Sequence, residues 1–227
     1  MNTEFILKED GTKEWRRNGK LHRDGDKPAL IDANGIQSWY QNGRVHRFGD
    51  QPAIMYADGR QEWYHNGIFH RDGDLPAVMG ADGTKEWYQN GQRHRDSDQP
   101  ARICPGTTEW YCNGFLHRDG DQPAVIRIDG TKYWKINGRF HRDEDQPAII
   151  RSDGTYEWWQ RGLRHRDGRL DRPAIIYGDG GLEWYKDGKR DRDGNLPSVI
   201  HADGRLEWHI HDIRQESGEL DGMNIKG

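Results

Sequence analysis

Tryptophan recurs along this chain at an almost constant spacing. Successive members of the set lie 24, 24, 24, 23, 24, 24, 26 and 24 residues apart. The set comprises Trp15, Trp39, Trp63, Trp87, Trp110, Trp134, Trp158, Trp184 and Trp208. A period of this length, kept over nearly all of a chain of 227 residues, is typical of a repeat protein. The spacing therefore predicts one array of similar small units.

The repeated unit is clearest between Asp82 and Ala101, where the sequence reads DGTKEWYQNGQRHRDSDQPA. Most units carry a turn dipeptide after the Trp, usually Asn-Gly, followed by His-Arg and then by Pro-Ala. Asn-Gly is a strong hairpin signal, because a type I′ turn needs positive φ at both central residues. A second turn, usually Asp-Gly, precedes most of the Trp residues. Turns this frequent leave no span for a helical period, so each unit is predicted to be a hairpin.

A two-residue turn sets which residues lie opposite each other. Around Asn90-Gly91 the predicted cross-strand pairs are Tyr88 with Arg93, Trp87 with His94, and Glu86 with Arg95. The same rule at Asp82-Gly83 predicts that Val78 faces Trp87 and Met79 faces Glu86. Repeated in other units, it predicts the ion pairs Glu14–Arg23, Glu62–Arg71, Glu109–Arg118, Glu157–Arg166 and Glu183–Arg192.

We therefore predict an all-β fold class. About nine tandem β-hairpin repeats of ~24 residues would form a curled antiparallel meander, half-pipe or β-solenoid. A single array is expected over residues 1–222, with an N-terminal cap at 1–15, a degenerate C-terminal cap at 205–222 and a tail at 223–227. The positions that deviate from the repeat, at which a site would be sought first, are Arg102, Trp159, Asp191 in place of the usual His, and the insertion at Arg169-Leu170.

Composition limits the partner classes. The net charge of −4 and a pI near 6.3 provide no general attraction for nucleic acid. No apolar run approaches the roughly 18 residues of a membrane span, so membrane insertion is not expected. The first residues, MNTEFILKEDG, do not read as a signal peptide. The two cysteines, Cys104 and Cys112, do not make a disulfide framework, and a cytoplasmic protein with free thiols is expected.

The run Glu-Trp-x-x-Asn-Gly-x-x-His-Arg, as at Glu86 to Arg95, resembles the MORN repeat. It is most similar to the variant MORN-like repeats of bacterial, phage and giant-virus proteins. The resemblance implies hairpin units and a scaffold or binder without its own chemistry. It also implies an antitoxin, immunity or phage or viral counter-defence role. Arg follows His where that family usually has Gly, and Pro-Ala opens the next strand, so the lipid and membrane-skeleton roles of other members do not transfer.

Several motifs suggest chemistry when they are taken singly. His-Arg-Asp is part of the kinase catalytic loop, but it occurs six times here without a Gly-rich nucleotide loop. Stacked histidines could hold a metal only if neighbouring repeats came closer than about 10 Å. The Asp-Gly-Asp loops, such as Asp72-Gly73-Asp74, offer two carboxylates each, whereas Ca²⁺ needs six to eight oxygens. We therefore predict no catalytic residues, no metal ligands and no cofactor.

Two sets of residues remain as structural and binding candidates. The predicted core of the repeats consists of the nine Trp residues above together with His22, His46, His70, His94, His117, His141 and His165. The predicted binding face, exposed and rich in aromatic residues, consists of Tyr40, Tyr64, Tyr88, Arg93, Tyr111, Trp159 and Tyr185. Tyr, Trp and Arg are enriched at interface hot spots. The competing interpretation of the second set is cation–π and ion-pair packing along the sheet.

The sequence thus predicts a non-enzymatic binding protein whose ligand is another protein. A lectin-like module that reads glycans through aromatic rows is the first alternative. A metal-dependent or Ca²⁺-dependent enzyme is the second. The identity of the partner and the oligomeric state do not follow from the sequence.

Overall fold

The structure is a computed structural model that describes residues 3–167 and 171–215. Within these residues every regular element is a β-strand, and no helix occurs. The chain forms two compact units, Met1–Phe115 and Leu116–Gly227. Both are built from the same two kinds of hairpin, so the prediction of an all-β hairpin-repeat fold is confirmed.

The strands are short, and most have two residues. From the N-terminus they are β1 (Glu4–Leu7), β2 (Lys13–Arg17), β3 (Lys20–Leu21), β4 (Leu30–Ile31), β5 (Gln37–Ser38), β6 (Tyr40–Gln41), β7 (Arg44–Val45), β8 (Ile54–Met55), β9 (Gln61–Glu62), β10 (Tyr64–His65), β11 (Ile68–Phe69), β12 (Val78–Met79), β13 (Lys85–Glu86), β14 (Tyr88–Gln89), β15 (Gln92–Arg93), β16 (Arg102–Cys104), β17 (Thr107–Glu109), β18 (Tyr111–Cys112) and β19 (Phe115–Leu116). They continue with β20 (Val125–Arg127), β21 (Lys132–Tyr133), β22 (Lys135–Ile136), β23 (Arg139–Phe140), β24 (Ile149–Ile150), β25 (Tyr156–Glu157), β26 (Trp159–Gln160), β27 (Leu163–Arg164), β28 (Ile175–Ile176), β29 (Leu182–Glu183), β30 (Tyr185–Lys186), β31 (Lys189–Arg190), β32 (Val199–Ile200), β33 (Leu206–Glu207), β34 (His209–Ile210) and β35 (Ile213–Arg214).

Each unit has an antiparallel main sheet that runs as a meander. In the first unit it contains β1, β2, β4, β5, β8, β9, β12, β13, β16 and β17, each paired with the next. In the second unit it contains β20, β21, β24, β25, β28, β29, β32 and β33. β3 pairs with the end of β2, and the other strands form small two-stranded tip hairpins, for example β10 with β11 and β26 with β27.

The turn of each tip hairpin is the predicted type I′ turn. Asn90 has φ +50° and Gly91 has φ +79°, so both central residues are left-handed. Tyr88 lies opposite Arg93, and the His94 N–H donates to the Trp87 carbonyl at 3.1 Å. The predicted register around Asn90-Gly91 is therefore confirmed as far as the Trp–His pair.

The turn of most main-sheet hairpins is longer than predicted, whereas β16 and β17 are joined by the two residues Pro105 and Gly106. Gly80 N–H donates to the Thr84 carbonyl, and Gly83, at φ +87°, takes the left-handed position of a three-residue loop. Val78 therefore lies opposite Glu86 and Met79 opposite Lys85, one residue out of the predicted register. A slip of one residue moves every side chain to the other face. Glu86, predicted to lie on the face opposite Val78, is buried on the same face.

The Trp residue divides what was predicted to be one strand into two. Trp87 N–H donates to the Ala101 carbonyl in the main sheet, whereas its own carbonyl accepts from His94 in the tip hairpin. The strands on either side of Trp87, β13 and β14, thus belong to different hairpins. This division recurs in most repeats, so the strands are shorter and more numerous than the sequence predicted.

The core of each repeat is a thin layer centred on the alanine of Pro-Ala. These alanines are fully buried: Ala29, Ala53, Ala77, Ala101, Ala124, Ala148 and Ala174 each have 0% exposure. Aliphatic residues that follow them, such as Val78 and Ile175, are also buried. The residues of the predicted N-terminal cap lie in the hairpin of β1 and β2. Part of the predicted C-terminal cap, the whole tail, and Arg169-Leu170 lie outside the described residues.

Candidate binding surface

The Arg of His-Arg joins three groups from two repeats. Arg95 places its guanidinium 4.0 Å from the centroid of the Trp87 ring. Its Nε and Nη2 donate to both carboxylate oxygens of Asp74, in the preceding repeat, at 2.7 and 2.8 Å. Its Nη1 donates to the Pro100 carbonyl. The Trp87 indole N–H also donates to the Asp74 backbone carbonyl, so one Asp receives both side chains.

This arrangement corrects the predicted Glu–Arg pairs. The arginines expected to face a glutamate across the hairpin bind instead the Asp of the preceding repeat, as in Arg71–Asp50, Arg166–Asp145 and Arg192–Asp171. Arg23, in the first repeat, stacks on Trp15 and donates to the Pro28 carbonyl. The arginine hydrogen bond holds the pKa of Asp74 below its ordinary value. The Arg column therefore holds neighbouring repeats together.

The His side chain also links successive repeats. His94 Nδ1 accepts the backbone N–H of Asn113, at the turn of the next repeat, at 3.2 Å. Because that N–H can only donate, the His94 proton lies on Nε2, which bonds to Asp96 at 3.0 Å. The imidazole and the first Asp of the loop are thus engaged with each other. The side chains of the predicted core histidines thus bond to the turn of the next repeat, as His46 does with Asn66.

The glutamate before each Trp collects the remaining polar side chains. Glu86 accepts from Tyr88 Oη at 2.7 Å and forms ion pairs with Arg93 and Arg102. Burial raises the pKa of Glu86, but the Tyr88 hydrogen bond and the positive charge of Arg93 outweigh burial and leave this pKa below its ordinary value. Burial, with Glu86 adjacent, raises the pKa of Tyr88 to about 12. Glu183 is held in the same way by Tyr177, Tyr185 and Arg190.

The predicted aromatic binding face is packed more closely than the sequence suggested. Tyr185 is buried, at 7% exposure, so its predicted exposure is wrong. Tyr40, Tyr64, Tyr88, Arg93, Tyr111 and Trp159 are half-buried. Most of their polar groups are bound to the neighbouring glutamate, as in Tyr64–Glu62, Tyr111–Glu109 and Trp159–Glu157. Phe69 stacks between Tyr64 and Tyr88, with centroid distances of 4.2 and 4.8 Å. These contacts agree with the competing interpretation, in which the aromatic and charged side chains pack against one another along the sheet.

The residues predicted to form the core differ in burial. Trp39, Trp63, Trp87, Trp134, Trp158 and Trp184 are buried, and Trp15, Trp110 and Trp208 are half-buried. His22 and His46 are buried, and His70, His94, His117, His141 and His165 are half-buried. Trp39 Nε1 and Trp63 Nε1 are the buried side-chain nitrogens that lack a hydrogen-bond partner within the described residues.

One exposed position in each tip hairpin was missed by the sequence analysis. It is the residue that directly follows the turn, and we call the set the tip column. In the first unit it comprises Lys20, Arg44, Ile68, Gln92 and Phe115, and in the second Arg139, Leu163, Lys189 and Ile213. All are exposed, and their chemistry changes from repeat to repeat, whereas the Trp column is constant and the Ala column changes only at Ser198. That contrast in variability was a signal available in the sequence.

Tip-column side chains lie beside the turn of the following repeat. A Cβ added to Gly91 would lie 2.6 Å from Ile68 Cγ2, and one added to Gly188 would lie 3.2 Å from Leu163 Cδ2. The turn glycines are therefore fixed by these neighbours as well as by positive φ. Within each unit, the tip column forms a row of exposed side chains at one-repeat spacing.

Ser198, His209 and Glu207 lie close together at the C-terminal end of the array. Ser198 Oγ is 2.9 Å from His209 Nδ1, and His209 Nε2 is 3.7 Å from Glu207. Ser198 has 0% exposure, so a substrate cannot reach its hydroxyl. The two residues replace the Ala and Tyr of other repeats, and their hydrogen bond is a packing contact.

Metal and redox chemistry find little support in the described part of the chain. No group of three or more His, Cys, Asp or Glu side chains is placed to hold a metal ion among residues 3–167 and 171–215. In the loop from Asp72 to Asp74, the first carboxylate binds His70 and the second binds Arg95. Cys104 and Cys112 are free and half-buried.

Fold and contacts together define a tandem β-hairpin repeat protein whose constant residues bind one another and whose tip column faces solvent. No protein-family description matches the chain, and no curated protein is significantly similar to it. Within the described residues no helix is long and apolar enough to cross a membrane.

Proposed function

We propose that this chain is a non-enzymatic, MORN-like binding protein whose ligand is another protein, and that the tip column makes the contact. One observation supports this most: the same exposed position is Lys, Arg, Ile, Gln and Phe in successive repeats of the first unit. Repeat proteins bind through extended surfaces in which a constant frame presents varied side chains. Mixed apolar and basic exposure suits a protein surface.

The residues that could perform chemistry are engaged inside the array, which supports a binding role over catalysis. The imidazole of His94, the carboxylate of Asp74 and the guanidinium of Arg95 each have partners in a neighbouring repeat or loop. By the resemblance to MORN-like proteins, the role is of the antitoxin, immunity or phage or viral counter-defence type, in the cytoplasm. The glycan alternative has weaker support, because rings such as Phe69 are stacked between their neighbours.

The proposal is tested with the tip column itself. The full chain is immobilised, proteins retained from a bacterial lysate are identified, and the affinity of the retained protein is measured by calorimetry. Replacement of Ile68, Gln92 and Phe115 by alanine should weaken that affinity about tenfold or more, since few interface residues supply most of the binding energy. The matched control replaces Lys13, Gln37 and Lys85, which are exposed on the main sheet.

Two results would contradict the proposal. One is a tip-column variant that binds its partner as tightly as the control variant does. The other is a glycan that quenches Trp fluorescence at stoichiometric ratio while no protein is retained, which would favour the lectin-like alternative.

A further inference from the structure

The niche beside His46 differs from the corresponding places in other repeats. It lies between the second and third repeats, within the first unit, and has a volume of about 570 Å³. Its lining includes Lys20, Arg44, His46, Phe48, His65 and Asn66. Volumes of this size are typical of sites that accept small groups.

Phe48 stands where other repeats have an aspartate. In five repeats the Asp two positions after the His bonds to Nε2 of that His at 2.9–3.0 Å. The pairs are His22–Asp24, His70–Asp72, His94–Asp96, His117–Asp119 and His141–Asp143. In the second repeat the ring of Phe48 lies against His46 instead, with a centroid distance of 4.6 Å, and is 72% exposed.

His46 therefore retains a hydrogen-bond donor that its counterparts use internally. Asn66 N–H donates to His46 Nδ1 at 3.2 Å, which places the imidazole proton on Nε2. Within the described residues no acceptor is bonded to that Nε2, although His46 is only 8% exposed. Burial and the adjacent His65 hold the pKa of His46 below its ordinary value, so the ring is neutral at pH 7. This Nε2 is not among the buried nitrogens that lack a partner, so its N–H reaches the niche and can donate to an incoming acceptor.

The charges around the niche favour an anion. Lys20, Arg44 and His65 line it, and no Asp or Glu is found among the described residues of its lining. The corresponding niche beside His165, about 640 Å³ in volume, has a mixed lining of three aspartates and two arginines, which are Asp145, Asp167, Asp187, Arg161 and Arg166. Positive charge without a carboxylate therefore distinguishes the His46 niche from its counterpart at His165.

We propose that the His46 niche binds an Asp or Glu side chain of the protein partner, as the intermolecular counterpart of the Asp that other repeats carry. The carboxylate would accept the His46 Nε2–H, as Asp96 accepts that of His94. Lys20 and Arg44 would supply the opposite charge, and the Phe48 ring would cover the methylene groups of the bound side chain. That the carboxylate comes from a protein partner rests on the proposed function, whereas the binding of a carboxylate in the niche does not depend on it.

The niche is tested with defined probes on the full chain. The ¹⁵N-labelled protein is titrated with Ac-Gly-Glu-Gly-NH₂ and, separately, with Ac-Gly-Gln-Gly-NH₂, while the imidazole nitrogens are followed by long-range ¹H–¹⁵N spectra. The Glu peptide should shift His46 Nε2 and leave His94 unchanged, at a concentration roughly fivefold to tenfold below that needed with the Gln peptide, because charged acceptors bind more strongly.

Phe48→Asp is the matched variant, since it restores the residue found in the other repeats. This variant should fold normally and lose the His46 response to the Glu peptide. Equal responses in wild type and Phe48→Asp would overturn the proposal, as would a shift produced by inorganic phosphate and not by the Glu peptide. A protein partner that binds unchanged to Phe48→Asp would also overturn it. Failure of the tip-column variants to affect that partner would count only against the proposed function.

Discussion

Arg95 stacks on Trp87 while its Nε and Nη2 donate to the carboxylate of Asp74 in the previous repeat. The same geometry recurs at Arg142 over Trp134, at 3.9 Å, with Asp121 as the acceptor. A planar guanidinium can stack on a ring and bind a carboxylate through two nitrogens at once, whereas an ammonium cannot. Cohesion between repeats therefore depends on arginine in particular and not on positive charge alone.

Arg95→Lys should destabilise the protein by about 1–3 kcal/mol, because a bidentate charged hydrogen bond and a cation–π contact are both lost. The free energy of unfolding in urea measures this effect. Arg139→Lys is the control, since Arg139 is an exposed tip-column residue, and its cost should stay within about 0.5 kcal/mol. Equal costs at the two positions would show that the stacked geometry contributes nothing.

Local signals in the sequence predicted the tip hairpins correctly. Asn90 and Gly91 both have positive φ, and the type I′ turn is the common two-residue turn that needs positive φ at both central positions. The pairing of Tyr88 with Arg93 then follows from counting outward from the turn. The Trp spacing indicated the number of repeats for a similar reason, because each repeat is marked by residues that lie near one another in the sequence.

The main-sheet register, the partner of Arg95 and the niche at His46 could not be predicted from the pattern of residues. Asp82-Gly83 is compatible with a two-residue or a three-residue loop, and the one-residue difference decides whether Glu86 is buried. The partner of Arg95 is Asp74, which lies 21 residues away and becomes adjacent only when repeats stack. Glu86 was a sensible partner by charge, but it is taken by Arg93 and Arg102. The open niche at His46 could not be predicted, because the sequence does not show that the Asp two positions after each His, such as Asp96, binds Nε2 of that His.

Gly91→Ala should cost more stability than Gly83→Ala. Both residues have positive φ, so each alanine pays about 1 kcal/mol for a left-handed backbone. A Cβ at Gly91 would also lie 2.6 Å from Ile68 Cγ2, whereas nothing lies within 4 Å of one at Gly83. Thermal unfolding of the two variants measures the difference. Adding Ile68→Ala to Gly91→Ala should recover that difference, and a purely additive double variant would argue against the contact.

Ala77→Val should destabilise the protein by about 1–3 kcal/mol, because the added methyl groups enter a site with 0% exposure. Ala81→Val, four residues away in an exposed loop, is the control and should be close to neutral. Urea unfolding of both variants tests the pair. A neutral Ala77→Val would mean that the thin core can expand, which would contradict the close packing described above.

Stability should fall steeply with acid below the ordinary pKa of aspartate. The carboxylates that accept from an arginine of the next repeat have their pKa lowered, first by that hydrogen bond; they are Asp26, Asp50, Asp74, Asp121, Asp145 and Asp171. Their contribution is fully present above the unfolded value of 3.8 and is lost as pH falls through the lower folded value. Unfolding free energies between pH 6 and 2.5 should reveal that slope. Asp74→Asn should reduce the slope, and Glu9→Gln, at an exposed loop position, should leave it unchanged.

Ser198→Ala should destabilise the last described repeat, and His209→Tyr should restore it. The single change removes the hydroxyl that lies 2.9 Å from His209 Nδ1, at a cost of about 1 kcal/mol. The double variant recreates the Ala and Tyr of other repeats, such as Ala174 and Tyr185, and the new hydroxyl can bond Glu207 as Tyr185 bonds Glu183 at 2.7 Å. Hydrogen exchange of this repeat measures both effects.

The same pair of variants carries a pH signature. Burial lowers the pKa of His209 from 6.5, so in the wild type the unfolded chain binds the proton more readily than the folded chain. Stability is therefore unaffected by His209 above pH 6.5 and falls as pH drops below it. His46, whose pKa is also lowered, contributes a slope of the same sign. Ser198→Ala keeps His209 and should keep the full slope, whereas the double variant should show a smaller one, measured by urea unfolding between pH 7.5 and 5. An unchanged slope in Ser198→Ala/His209→Tyr would contradict a contribution from His209.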